Sequence, residues 1–301
     1  MRKVFLQGSY TEDDFDAVLA SRQFVRADCY TIELINGVTL RSTTSQQDMF
    51  VVPPFDTMTR QFSGKKLMAS GVKFKSAIGL DKDEQTLTLA STEDFLVPYS
   101  GDTLEGIPLM ESLRRGDFDL GLITLDRYFS VGSGQPWVGA IRLFSGQVGP
   151  LDTVGRLTAT IKVYSDLYLL DQQMPKNMYQ STCNNVFCKS RCSLTKSSFG
   201  TVGTASSGST PSMIVWTGAS GSYKLGTISV ANDAGVEYTR TIRDVQGDNM
   251  YLSYPLDFVP AAGTSFTAYL GDDRTLASCE GYSNKTHFYG FPFMPVAETA
   301  Y

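Results

Sequence analysis

The sequence predicts a mainly β protein with a few short helices, organised as two β domains. The clearest signal is a hairpin in which β-rich runs at residues 31–35 and 38–43 flank Asn36-Gly37. A type I′ turn favours this pair because both of its central residues need positive φ. Alternating apolar and polar runs recur further along the chain, whereas helical spacing is confined to two short stretches. A chain of 301 residues exceeds what one core usually supports, so two domains are expected.

The first domain is predicted to be a β-rich domain spanning residues 1–170. Thr11-Glu12-Asp13-Asp14 offers an N-cap with acids in the first turn, and apolar residues at helical spacing follow, which predicts a helix over residues 12–25. A second helix is expected at 107–115. Alternating runs predict strands at 72–78, 86–90, 120–128, 137–144 and 157–164.

The second domain is predicted to span residues 171–301 as a small antiparallel β domain that contains the cysteines. Turn residues separate strand-like runs at 212–216, 224–231, 236–245, 249–254 and 264–270. Residues 196–212 are crowded with Ser, Gly and Thr, a composition that predicts a flexible loop. The aromatic segment 284–295 is expected either to pack over the domain or to expose a contact surface for a partner.

Four of the five cysteines form a pattern that metal chemistry explains better than packing. Cys183, Cys188 and Cys192 lie within ten residues in a polar stretch, and Cys279 lies far downstream. Thiolate sulfur is the soft ligand of iron–sulfur clusters and of closed zinc sites. The C-x4-C-x3-C spacing lacks the paired C-x2-C knuckles of zinc ribbons, which favours an iron–sulfur cluster over zinc. Two disulfides or buried inert thiols are the alternatives.

Other classes of function find little support in the sequence. A net charge of −5 and a pI near 5.0 argue against a protein that coats nucleic acid. His287 is the only histidine, and the chain has neither a nucleotide-binding loop nor a nucleophile elbow. No stretch resembles a membrane span or a secretory signal. A structural protein with protein partners is therefore expected, and not an enzyme.

The segments around the cysteines also carry a family resemblance. One is Pro175-Lys176-Asn177-Met178-Tyr179-Gln180-Ser181-Thr182-Cys183, and the other runs from Ser278-Cys279 through Asn284 to Phe288-Tyr289-Gly290-Phe291-Pro292. The order of the early helix, the hairpin near Tyr30 and the C-terminal strands agrees as well. Over essentially its whole length, the chain resembles a family of baseplate-hub proteins of long non-contractile-tailed phages and gene transfer agents.

The resemblance implies a structural part of the tail tip, located in the virion and assembled in the host bacterial cytoplasm. Such a protein links the tail tube or distal tail ring to the central hub, as a homotrimer in a threefold assembly. The implied partners are the distal tail protein, the central hub or fibre protein and the tape-measure protein. DNA is expected to meet the protein only in transit through the lumen of the assembly, and no stable membrane association is expected. A tail-associated cell-wall hydrolase and a zinc-stabilised binding protein are the alternative functions.

The resemblance also bears on the cysteines. Relatives in the lambda-type tail tip carry an iron–sulfur cluster, which implies a [4Fe–4S] cluster on Cys183, Cys188, Cys192 and Cys279, with zinc as the less favoured occupant. Many members have a further cysteine shortly after the position of Cys279, but residues 281–288 contain none. The fourth ligand therefore depends on Cys279 alone. Cys29, in a predicted strand, is expected to be a core thiol.

Overall fold

A computed structural model describes residues 3–72, 84–99, 106–171, 177 and 179–293 of the chain. They belong to two compact units, residues 1–172 and 173–301. The sequence-based boundary lay between residues 170 and 171. Each unit is built on its own antiparallel sheet, and the predicted mainly β fold class is confirmed.

The first unit is organised around one large, strongly curved sheet. Its described strands are β1 (Val4–Leu6), β2 (Val25–Glu33), β3 (Thr39–Thr43), β4 (Met49–Val51), β5 (Arg60–Phe62), β6 (Leu67–Ser70), β7 (Glu84–Ser91), β8 (Leu96–Val97), β9 (Ile107–Pro108), β10 (Leu122–Ser130), β11 (Trp137–Val154) and β12 (Thr158–Ser165). The sheet runs β3-β2-β10-β11-β12-β7-β6, and β1 pairs with β11. Ser42 of β3 donates to the Leu67 carbonyl of β6 at 2.6 Å, so the sheet ends meet and nearly close a barrel.

The alternation of apolar residues explains why these segments form strands. Four apolar side chains are fully buried: Leu87 and Leu89 on β7, and Ile161 and Val163 on β12. The residues that alternate with them are partly exposed. Period-2 burial is what a sheet with one face on the core requires. The strand predicted at 72–78 falls almost entirely on residues 73–83, outside the described part of the chain.

Both helices predicted in the first unit are present, and both are shorter than predicted. α1 covers Glu12–Ser21, with a capping box between Thr11 and Asp14, and it ends because Arg22 adopts the left-handed conformation. Phe15 packs edge-on against Phe129 of β10, at 5.5 Å between ring centroids. α2 covers Leu109–Arg115, and it starts two residues later than predicted because residues 107–108 form β9.

The predicted hairpin is present, but its turn type was wrong. β2 and β3 pair from Cys29↔Thr43 to Glu33↔Thr39. Gly37 donates to the Leu34 carbonyl and has φ 84, whereas Asn36 is not in the positive-φ region. The connection is a turn over residues 34–37 that ends in a left-handed glycine, the usual form of three-residue hairpin loops.

The second unit has a smaller antiparallel sheet. Its strands are β13 (Gly200–Thr204), β14 (Met213–Val215), β15 (Thr227–Ala231), β16 (Glu237–Gln246), β17 (Asn249–Leu252) and β18 (Ser265–Tyr269), followed by the short helix α3 (Leu276–Gly281). The order is β13-β18-β15-β16-β17-β14. Each of the five predicted runs overlaps one of these strands, and β16 extends one residue beyond its predicted run.

Residues 196–212 are not the irregular loop that their composition predicted. Residues 196–199 form a 3-10 turn, and β13 pairs with β18 along its whole length. The glycines make room for packing: a Cβ on Gly203 would lie 2.7 Å from the Trp216 ring and 2.8 Å from the Phe266 ring. The composition therefore reflects close approach of aromatic side chains in this strand. Within the described residues, no helix has the length and apolarity needed to cross a membrane.

Candidate metal centre

The segment with three of the candidate ligands is held by local turns. Cys192 donates its amide to the Lys189 carbonyl at 2.8 Å, and Lys189 donates to Val186 at 3.2 Å. Cys188 and Ser193 have left-handed φ values of 55° and 63°. These conformations are uncommon outside glycine, and they coil the segment back on itself. The short spacing read from the sequence thus becomes a compact turn.

Cys279 reaches the same region from α3. The hydroxyl of Thr275 accepts from the Ser278 amide at 3.2 Å, which caps the first turn of this helix. Just before the cap, the Arg274 carbonyl accepts from the Cys183 amide at 2.8 Å. This bond joins the cysteine segment to the start of α3, so residues almost one hundred positions apart in sequence share one site.

Three of the four predicted ligands line one cavity. Cys183 and Cys192 are buried, Cys279 is partly exposed, and all three face this cavity together with Asn185, Asn284, His287 and other residues. Cys188 does not line it. Burial raises the pKa of Cys279, and the neighbouring Cys183 and Cys192 raise it further. The pKa of Cys188 is raised by burial and by Cys192. All four thiols therefore lie within electrostatic range of at least one other.

Across the ranges that the structure describes, no group of three or more His, Cys, Asp and Glu side chains is placed to hold a metal ion. Cys279 donates its thiol hydrogen to the Asn284 carbonyl at 3.1 Å. A thiolate cannot donate, so Cys279 would have to leave this carbonyl in order to bind a metal or cluster.

Other contacts suit thiolate ligands. The Tyr289 amide donates to Cys183 Sγ at 3.4 Å, and Asn284 Nδ2 donates to Cys192 Sγ at 3.4 Å. Hydrogen bonds to cysteine sulfur are one of the means by which proteins tune iron–sulfur clusters. Phe187 and Tyr282, 4.9 Å apart between ring centroids, also contribute to the cavity wall. The donor set and its surroundings fit a thiolate-bound group in chemistry, although Cys188 does not line the cavity that the other three thiols share.

Sequence reasoning did not identify Asn284 as part of this site. Its buried side chain donates to Cys192 and accepts at Oδ1 in a 2.9 Å contact with the His287 ring. An asparagine has no recognisable spacing from a cysteine that is ninety-two residues away, so only the tertiary structure brings it into view.

Cys29 lies apart, in the core of the first unit, as predicted. It is fully buried beside Thr43 and Met49, and burial raises the pKa of its thiol to about 12. An unionised buried thiol behaves as a small apolar side chain.

Within its described part, the aromatic segment 284–295 packs its backbone on the cysteine segment and leaves aromatic side chains exposed. The Phe291 amide donates to Gln180 at 2.8 Å, and the Tyr289 carbonyl accepts from Asn184 at 3.1 Å, so the backbone is tied to the cysteine segment. The side chains of Tyr289, Phe291 and Phe293 remain exposed.

Comparisons with known proteins agree with this architecture. Residues 12–195 match the family model described as baseplate hub protein, N-terminal attachment domain. Residues 221–298 match a family described as phage conserved hypothetical protein BR0599. A chain in a solved structure, the virion of a native gene transfer agent particle, aligns with a TM-score of 0.64 and 18% identity over 96% of this chain and 95% of that chain. No curated protein sequence matches the chain significantly. Because the first family model covers more than half of its length, the chain belongs to the baseplate hub protein family.

Proposed function

We propose that the protein is a structural element of a phage-type tail tip that links the tail tube or distal tail ring to the central hub. As a baseplate hub family member, it is a component of a virion tail particle. The family match over residues 12–195, described as an attachment domain, is the observation on which the linking role rests. The gene transfer agent virion chain has the same fold across both units, which supports the same architecture for the whole chain.

The protein functions as a homotrimer that contacts other tail-tip proteins: the distal tail protein, the central hub or fibre protein and the tape-measure protein. It assembles in the host bacterial cytoplasm, does not bind a membrane stably and has no turnover of its own. The net charge of −5 is compatible with DNA passing through a lumen, because a basic wall would bind phosphates by counterion release and hold the strand.

The second unit binds a structural iron–sulfur cluster, a [4Fe–4S] cluster on Cys183, Cys188, Cys192 and Cys279, with zinc as the less favoured occupant. The shared cavity of three of the thiols and the N–H donors to two of the sulfurs support it. A [4Fe–4S] cluster presents four separate iron corners, so its thiolates stand farther apart than those around one zinc ion. Because no three described side chains are placed around a single ion, the cluster is the favoured occupant over zinc.

Genetic disruption tests the structural role. An amber codon in this gene of a phage that encodes the chain should give heads without completed tails. Adding purified protein to the defective extract should restore infectivity in proportion to the amount added, because each particle incorporates it. Normal tails that fail only at the cell wall would instead support a tail-associated hydrolase.

Metal analysis and an optical spectrum test the cluster. Protein purified without oxygen should contain iron and sulfide. Iron–sulfur charge transfer should give it a broad absorbance near about 400 nm. Cys183→Ser and Cys192→Ser should lose the iron, whereas the matched Cys29→Ser should keep it because Cys29 lies in the other unit. Zinc in place of iron would identify the alternative occupant, and unchanged iron in both variants would refute the ligand assignment.

A further inference from the structure

The turn between β4 and β5 contains an aromatic residue in a conformation that aromatic residues rarely adopt. Phe55 has φ 68°, and 74% of its surface is exposed. The Asp56 amide donates to the Pro53 carbonyl at 3.0 Å and closes a four-residue turn in which Phe55 is the third residue. Turns with positive φ at this position favour Gly or Asn, and a bulky residue there is strained. A chain that needed only the turn would place glycine here.

The surrounding structure holds this turn from both sides. Gln7, which is buried, donates to the Val52 carbonyl at 2.8 Å and accepts from the Val52 amide at 2.9 Å. On the other side, Asp56 accepts from the Met58 amide at 3.1 Å and from Arg60 Nε at 2.8 Å. Strained residues persist where the surroundings over-determine them, and they concentrate at functional positions.

The result is an exposed aromatic side chain on a backbone held by hydrogen bonds, and we call residues 52–58 the Phe55 turn. Its ring contacts Phe5 at 4.7 Å between centroids, which leaves most of its surface open. Met58, in the same turn, is 61% exposed, and Phe50, on β4, is 66% exposed. Pre-organised aromatic side chains lose little entropy on binding and are typical anchors of protein interfaces.

Two positive side chains lie beside the ring, and the nearby carboxylates of Asp56 and Asp126 are each paired with an arginine, Arg60 and Arg142. Lys3 Nζ lies 5.5 Å and the Arg142 guanidinium 5.1 Å from the centre of the Phe55 ring. Within the described ranges, no carboxylate forms an ion pair with Lys3. A surface that accepts this side chain therefore needs an apolar pocket, with carboxylates at the edge that meets Lys3.

We propose that the Phe55 turn is the anchor by which the first unit docks on a neighbouring tail protein, a different chain whose surface has an apolar pocket edged by carboxylates. The proposal rests on the attachment role proposed above and names the residues that make the contact. Phe55 inserts into the pocket, Met58 contacts its rim, and Lys3 faces the carboxylates.

Complementation of a defective extract measures this contact. The probe is an extract of cells infected with a phage whose copy of this gene has an amber codon, so that the extract contains the other tail proteins. Purified full-length wild type, Phe55→Asn and Ile35→Asn are added, and the chain that sediments with tail particles is quantified. Ile35 is the matched control because it is 73% exposed and lies in another turn of the same unit.

Phe55→Asn should reduce incorporation about tenfold or more, as loss of a central aromatic anchor does, while Ile35→Asn stays near wild type. The thermal midpoint of Phe55→Asn should not fall below that of wild type, because Asn accepts positive φ. Lys3→Glu should also reduce incorporation, and more so at low salt, where like charges repel over a longer range.

The outcomes separate the proposals. If wild type itself is not incorporated, the attachment role fails and this proposal with it. If wild type is incorporated and Phe55→Asn matches it, only the anchor is refuted. Full incorporation of Lys3→Glu would refute the carboxylate edge. If Phe55→Asn changes the oligomeric state of the purified chain, a second copy occupies the site, and the assigned partner is wrong.

Discussion

At the scale of single residues, Asp126 and Arg142 form an ion pair in which the carboxylate is buried in the first unit. The Asp126 side chain is 1% exposed and accepts two bonds from the guanidinium, at 2.8 and 3.0 Å. Burial raises the pKa of Asp126 and outweighs the opposing effect of Arg142. A raised folded-state pKa means that this group stabilises the fold below its unfolded pKa, and that the contribution is lost as pH rises through the folded pKa.

Arg142→Met should lower the free energy of unfolding by about 3–5 kcal/mol at neutral pH, because it leaves a buried carboxylate unpaired. The loss should shrink in acid, where Asp126 is protonated and needs no partner. Urea unfolding across this pH range measures both effects. The matched control is Arg156→Met, whose exposed pair with Glu93 is worth about 0–1 kcal/mol. Equal losses for the two variants, or a loss independent of pH, would contradict the interpretation.

At the scale of elements, β13 shows how packing overrides composition. Gly203 faces the rings of Trp216 and Phe266, so a glycine that looks like a flexible linker in the sequence permits close aromatic packing. The bonds of β13 to β18 then join residues 200–204 to the sheet of the second unit. Glycine content alone does not distinguish these two uses.

Gly203→Ala should destabilise the second unit by about 1–3 kcal/mol, the usual range for overpacking, because its Cβ would overlap both rings. Gly221→Ala is the control, since nothing lies within 4 Å of a Cβ at that position. In a Trp137→Phe background, fluorescence of Trp216 reports this unit during urea unfolding. A Gly203→Ala midpoint equal to that of the control would show that the two rings can move away without cost.

At the scale of the whole molecule, each unit has its own sheet and its own buried residues. Leu87, Leu89 and Ile161 are fully buried in the first unit, and Ile214, Ile228 and Ile242 in the second. The cysteine segment lies outside both sheets. We therefore expect either sheet to fold without the thiol site.

Residues 1–172 and 173–301, expressed separately, should each unfold cooperatively, with Trp137 and Trp216 as the respective fluorescent reporters. Because local contacts hold the cysteine segment, chelation should increase protease sensitivity near Cys183 and leave the sheet of the second unit folded. Circular dichroism and limited proteolysis measure these effects. A second unit that is unfolded until metal is added would show that the thiol site is essential for the whole unit.

The sequence by itself determined what depends on neighbouring residues. The capping box of α1, the hairpin at Asn36-Gly37 and the alternation on β10 and β12 are visible within a few positions, because caps, turns and the two-residue period of a strand are local. The short strands β4, β5 and β6 were missed because three or four residues do not establish a period. The candidate thiols were identified from their residue type and spacing alone.

Tertiary structure decided what depends on residues far apart in sequence. β13 is a strand because β18 supplies its hydrogen bonds, and Gly203 is there because Trp216 packs on it. Cys183 and Cys279 meet through the bond to Arg274, and Asn284 joins them from ninety-two residues beyond Cys192. Strand pairing and side-chain packing are contacts between distant segments, and their free energy exists only once the chain has brought those segments together.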